Sequence, residues 1–151
     1  MGKLEGLDEE ITEASAETEE KITSFEDAKK KRKPFHFWEV GSVSHKLKLT
    51  TGMIVKLENK YRTNIMNLVT ADGIPTLSVM LTIIQAAMSP WEHGINFNKV
   101  QGIYTKWEED GGSQMDLYKD VIMPTMAVSG FFTETQAISI MESVKEMDDL
   151  I

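Results

Sequence analysis

Three imidazoles, His36, His45 and His93, are the side chains of this sequence best suited to proton transfer or metal binding, and they occur singly. With no HExxH, no two-His-plus-carboxylate spacing and no Cys, the sequence offers no ligand set for zinc or iron. His36 and His45 fall in alternating segments, where a histidine is an ordinary amphipathic strand residue, and His93 sits in a Glu92-His93-Gly94 loop. The acids Glu108, Glu109 and Asp110, and later Asp148 and Asp149, could hold Ca²⁺ loosely. They lack the alternating oxygen ligands of an EF-hand loop and read as solvated surface. Gly111-Gly112-Ser113 opens a helix whose free N–H groups could meet an anion. It has neither a P-loop lysine nor GxGxxG spacing, and three acids stand beside it, so a helix-to-helix turn explains it better. Ser113, Ser129 and Thr133 have no apparent histidine partner to act as base. Trp38, Trp91, Trp107, Phe131 and Phe132 could stack on bases, but the negative charge of the chain favours core or protein contacts. No catalytic residue, metal or cofactor is expected.

Composition points to binding rather than chemistry. The 151 residues suffice for one domain with a tail, and a hydrophobic share of 41% is ordinary for a globular protein. The ten Met residues are numerous, and Met fills irregular gaps and adaptable contact surfaces. A net charge of −8 and a pI near 4.9 oppose general affinity for nucleic acid or anionic membrane. The absence of Cys allows a reducing cytoplasm, and the opening MGKLEGLDEEI lacks the basic start and apolar run of a secretory leader.

Charge is unevenly distributed. Residues 1–28 carry a net −8, Lys29 to Lys33 add +5, and residues 34–151 carry −5. Residues 1–33 hold few sizeable apolar groups, so they are expected to be a flexible charged tail preceding a domain at 34–151. The basic run 29–33 fits a nuclear-import or phosphate-binding patch, or, as the plainer reading, a solvated linker attracted to the acidic tail.

From Phe35 to Leu49 the apolar residues alternate, and Gly41-Ser42 fits the two-residue type II′ turn of a β-hairpin. An isolated hairpin is marginal, so its apolar face must pack on helices. Thr50 or Thr51 can cap a helix whose buried stripe is Ile54, Leu57, Tyr61 and Ile65, with a break near Thr63-Asn64 and a turn at Asp72-Gly73. Asn96 or Asn98 caps a segment carrying Phe97, Val100, Ile103, Tyr104 and Trp107 on one face, and Gly111-Gly112 ends it. Ser113 and Asp116 have capping-box spacing, and Pro124 should kink or end the helix that follows. Thr133 and Gln136 repeat the capping-box spacing before a last helix at about 134–150, striped with Ala137, Ile140, Met141, Val144, Met147 and Ile151.

These elements need a common partner. Gly73 to Trp91 contains no charged residue, and on a helix its apolar groups leave only the line Ser78, Thr82, Gln85 and Ser89. A helix apolar nearly all round is a buried one. Pro75 suits its first turn and Pro90 closes it. From Pro75 to Ser89 it would rise only about 22 Å at ~1.5 Å per residue, short of a hydrocarbon core of about 30 Å. The fold expected is therefore mainly α, a compact helical domain around this buried central helix, with an N-terminal β-hairpin at 35–49.

Residues 35–132 resemble the small tail assembly chaperones of long-tailed phages and prophages of Gram-positive bacteria. The resemblance is carried by Phe37-Trp38-Glu39-Val40, Lys46-Leu47-Lys48-Leu49-Thr50-Thr51, Glu58, Ile74-Pro75 with Leu77-Ser78-Val79-Met80-Leu81, Gly111-Gly112-Ser113-Gln114 and Ser129-Gly130-Phe131-Phe132, in that order. The tail 1–33 lies outside it. It implies a non-catalytic protein of the host bacterial cytoplasm that binds the tape-measure protein, keeps it soluble and promotes assembly of tail-tube subunits around it, and that is absent from the mature virion. A long helical partner with apolar stripes suits a Met-rich helical domain. Contact with the tail-tube protein and self-association are further expectations; nucleic acid and membrane are not expected as partners. Candidate partner-binding residues are Phe131, Phe132, Ile140, Met141, Val144 and Met147, the same residues being suited to the core. Two other functions compete: a structural tail or tail-completion protein of the virion, and a small nucleic-acid-binding regulator using the basic run 29–33.

Overall fold

The computed structural model describes the backbone of residues 33–71 and 73–150 and the side chains up to residue 142. The charged tail expected at 1–33, and with it all of the basic run except Lys33, lies outside the described residues. The domain begins with a hairpin, β1 (His36–Val40) and β2 (Val43–Leu47), paired antiparallel from His36 opposite Leu47 to Val40 opposite Val43. Gly41 has φ +63° and Ser42 is not at positive φ, the combination a type II′ turn requires. Trp38, Val40, His45, Leu47 and Leu49 are buried, so one face of the hairpin packs inward as the alternation demands.

Helices follow: α1 (Thr51–Tyr61), α2 (Ile65–Thr70), α3 (Leu77–Met88) and α4 (Phe97–Glu109). Each starts at a side chain that accepts from its own first-turn amides: Thr50, Asn64, Thr76 and Asn96. Arg62, at φ 56°, turns the chain between α1 and α2 at the expected break, and the Glu58 carboxylate accepts from the Ile65 amide at the start of α2. Pro75 stands one residue before the cap Thr76, not in the first turn, because the threonine hydroxyl takes the Val79 N–H and fixes the start at Leu77.

Central helix α3 packs against β2, α1, α4 and a later π-helical segment, burying Met80, Leu81, Ile83, Ile84, Ala87 and Met88. The burial is one-sided. Leu77, Val79 and Ala86 are half-buried, as are Thr82, Gln85 and Ser89 of the polar line, and Ser78 is exposed. Among the described residues no helix is long and apolar enough to cross a membrane.

Gly111 at φ +109° and Gly112 end α4, and a Cβ on Gly112 would lie 2.5 Å from carbons of the Trp107 indole, so only glycine lets that ring fold back over the turn. Ser113 and Asp116 form the capping box of α5 (Gln114–Asp116), which runs into the π-helical segment Leu117–Ile122 and then α6 (Met123–Val128). Pro124 therefore does not end the helix. The ladder widens just before it, with the Met123 N–H bonding the Tyr118 carbonyl five residues back. The Asp120 carbonyl, four residues before a proline that has no N–H, is instead met by His36 Nε2 at 2.8 Å. Gly130, at φ +89°, closes α6 while the Phe131 amide bonds the Met126 carbonyl at 3.4 Å. Thr133 and Gln136 then exchange side-chain and backbone bonds at the start of α7 (Glu134–Leu150), which packs on α6.

Candidate partner-binding surfaces

The groups able to do chemistry hold the fold together. His36 donates from Nε2 to the Asp120 carbonyl across 84 residues of sequence, and His45 Nδ1 lies 2.7 Å from a Glu92 carboxylate oxygen. The His45 ring is also tilted against Trp38, which meets Trp107 edge to face at 5.8 Å between centroids. His93 is exposed in the loop after α3. Ser129 Oγ accepts from the Leu49 N–H at 2.9 Å and donates to the Thr125 carbonyl at 2.6 Å, tying the end of the hairpin to α6. The hydroxyls of Ser113 and Thr133 serve as helix caps. Among the described residues, no cluster of three His, Asp or Glu side chains could hold a metal ion. Burial, and then the neighbouring Glu108 carboxylate, push the Tyr104 phenol above its ordinary pKa.

The residues suggested for partner binding divide into three groups. Phe131 and Phe132 are half-buried and pack on the edge of the core. Ile140 and Met141 are half-buried on α7, whose Ala137 is buried. The side chains of Val144 and Met147 lie outside the described residues. The fold thus sets Phe131 and Phe132 beside the first turns of α7, with the sequence stripe continuing along that helix.

No family model, curated protein or solved structure matches this chain.

Two further surfaces lie outside those six candidate residues. The outer face of the hairpin sets Phe35 and Phe37 beside Lys46 and Lys48, with Phe37 directly opposite Lys46. Trp91, from the loop after α3, meets Phe35 edge to face at 5.1 Å, and the Lys46 ammonium lies 4.2 Å from the Phe35 centroid and 4.8 Å from that of Trp91. Phe37 is half exposed. The alternation of Phe35 and Phe37 against Lys46 and Lys48 was visible; the arrival of Trp91 was not, because a loop residue's partner is set by how α3 lies on the hairpin.

The second surface is an open groove of about 330 Å³ between α1 and α3, lined by Met53, Lys56, Leu57, Lys60, Thr82, Gln85, Ala86 and Ser89. Its far bank is the polar line of α3, whose spacing was evident but read as a thin stripe on a buried helix. The signal that would have found the groove is Lys56 and Lys60, one turn apart beside Met53 and Leu57, facing that same line.

Proposed function

We propose that this chain is a non-catalytic binding domain that acts as a phage tail assembly chaperone, holding the tape-measure protein soluble while tail-tube subunits assemble around it. The observation that carries the reading is the distribution of polar chemistry. His36, His45 and the Ser129 hydroxyl are committed to contacts between distant segments of the fold, while the surface offers an apolar-floored groove between two helices. Such a groove suits the apolar face of a foreign helix. The ordered fragments from Phe37 to Phe132 add the tail-assembly context, and an acidic surface keeps a complex with an aggregation-prone partner soluble.

The test is co-expression with a long helical tape-measure protein from the same genome. A recovered complex and a larger soluble fraction of that protein are the expected results; absence of both would end the reading. Purified particles lacking the chain would support a chaperone, whereas its presence at fixed stoichiometry would support a structural tail subunit.

A nucleic-acid-binding regulator draws on a specific feature, the aromatic and lysine rows on the outer face of the hairpin. Against it, the Lys46 ammonium already lies over the Phe35 and Trp91 rings, and these rings meet edge to face instead of forming a parallel slot for a base. Binding of a dT20 oligonucleotide that falls steeply with salt would favour that regulator over the chaperone.

A further inference from the structure

We infer that the groove between α1 and α3 is the docking site for a helical segment of the tail protein that carries carboxylates at i and i+4 beside an apolar stripe. This rests on the chaperone reading and names the surface and the chemistry it selects. The floor is apolar: Met53 and Leu57 from α1 and Ala86 from α3. One rim is cationic, with Lys56 and Lys60 both exposed and one helical turn apart. Among the described residues neither ammonium has a carboxylate within ion-pair distance; the Lys60 ammonium lies 5.6 Å from the centroid of the Tyr61 ring. The nearest acid in sequence, Glu58, is turned to the Ile65 amide at the start of α2.

The opposite rim is polar and uncharged. The hydroxyls of Thr82 and Ser89 donate to the carbonyls of Ser78 and Ala86 and so retain only acceptor capacity for a partner. The Gln85 side chain makes no hydrogen bond to a described residue, so its amide group can meet a partner. No acid lines the groove, although residues 50–151 together carry a net −6. A helix seated there meets apolar atoms below, ammonium groups on one side and neutral donors and acceptors on the other. The occupant that satisfies all three is amphipathic, with its acids on one flank of the apolar stripe. Because Lys56 and Lys60 stand four residues apart, acids at the same interval pair with both at once.

The full chain is co-expressed with the long helical tail protein, and the amount recovered through a tag on that protein is compared among variants. Wild type and Lys56→Arg/Lys60→Arg should be recovered equally. Lys56→Glu/Lys60→Glu should be recovered at least about tenfold less, with unchanged circular dichroism and melting temperature, since two close ion pairs become repulsive. Full recovery of the Glu variant beside full recovery of wild type would overturn the groove assignment and leave the chaperone reading standing. No recovery of wild type would remove the chaperone reading and the inference with it. Two controls on the chain alone name other occupants. If wild type self-associates and the Glu variant does not, the groove holds a second copy; if wild type binds dT20 and the Glu variant does not, it holds nucleic acid. Either result overturns the inference.

Discussion

Ser129 shows how one side chain joins distant parts of the chain. Its hydroxyl accepts the Leu49 N–H and donates to the Thr125 carbonyl, so Ser129→Ala leaves a backbone N–H at the hairpin's end without that partner. The expected loss is about 1–2 kcal/mol in denaturant unfolding, from a buried donor left unsatisfied. Tyr104 behaves in the opposite way. Its buried hydroxyl has no hydrogen-bond partner among the described residues, so Tyr104→Phe should leave stability at neutral pH unchanged or raise it by up to about 1 kcal/mol. The pH dependence follows from the phenol's raised pKa. With the folded value above the ordinary 10.0, the unfolded chain ionises first as pH rises, so stability is intact below 10.0 and falls between there and the folded value. Tyr104→Phe should remove that part of the alkaline loss, and equal alkaline midpoints for the two proteins would contradict it. At this scale the helix caps were legible because Thr50, Asn96, Ser113 and Thr133 find their partners within three residues. The roles of His36 and Ser129 were not, since their partners lie 84 and 80 residues away and sequence spacing carries no record of them.

Among the elements, α3 has the largest consequences. Leu81 and Ile84 are buried on the side that meets the rest of the core, so Leu81→Asp or Ile84→Asp places an unpaired charge there. Each should cost about 4 kcal/mol or more and yield insoluble or unfolded protein, whereas soluble folded protein from both would show that α3 is not central. Helix α7 is a different case, since it packs chiefly on the short α6 through its early turns. Truncation after Thr133 is expected to leave a folded domain with a lower melting temperature, because the buried Ala137 contact is lost while the hairpin and α3 keep their partners. Loss of all cooperative unfolding would make α7 part of the essential core. The hairpin, the capped starts and the central place of α3 were legible because alternation, cap chemistry and an uncharged run are local signals. The widened turn before Pro124 was not: proline removes an N–H wherever it stands, but the helix continues here because widening accompanies a histidine from β1 reaching the orphaned carbonyl. The half-buried side of α3 was missed because apolar content reports how many faces want burial, not how many neighbours the fold supplies.

For the molecule as a whole, the hairpin is the clasp between early and late parts of the chain. The Lys48 N–H bonds the Ala87 carbonyl and the Leu49 N–H bonds Ser129, so these two amides open only when α3 and α6 both let go of the hairpin. Their hydrogen exchange is expected to be as slow as the slowest amides of α3, reporting global unfolding. Exchange at the rate of the α1 termini would show that the hairpin detaches as a separate unit. The segregation of charge was legible from the sequence, whereas the meeting of Lys56 and Lys60 with the polar line of α3 required the packing of two helices.

The bond from His36 to Asp120 also fixes an order of events during synthesis. The first strand of the domain cannot complete its hydrogen bonds until a residue 84 positions later has left the ribosome, and Leu49 must wait for Ser129 in the same way. Translation at roughly 5–20 residues per second makes that wait about 4 to 17 seconds. Until the last third of the domain arrives, the apolar sides of the hairpin and of α3 lack their late partners. A protein read as a guardian of another chain's apolar surface thus passes through an interval in which its own is uncovered.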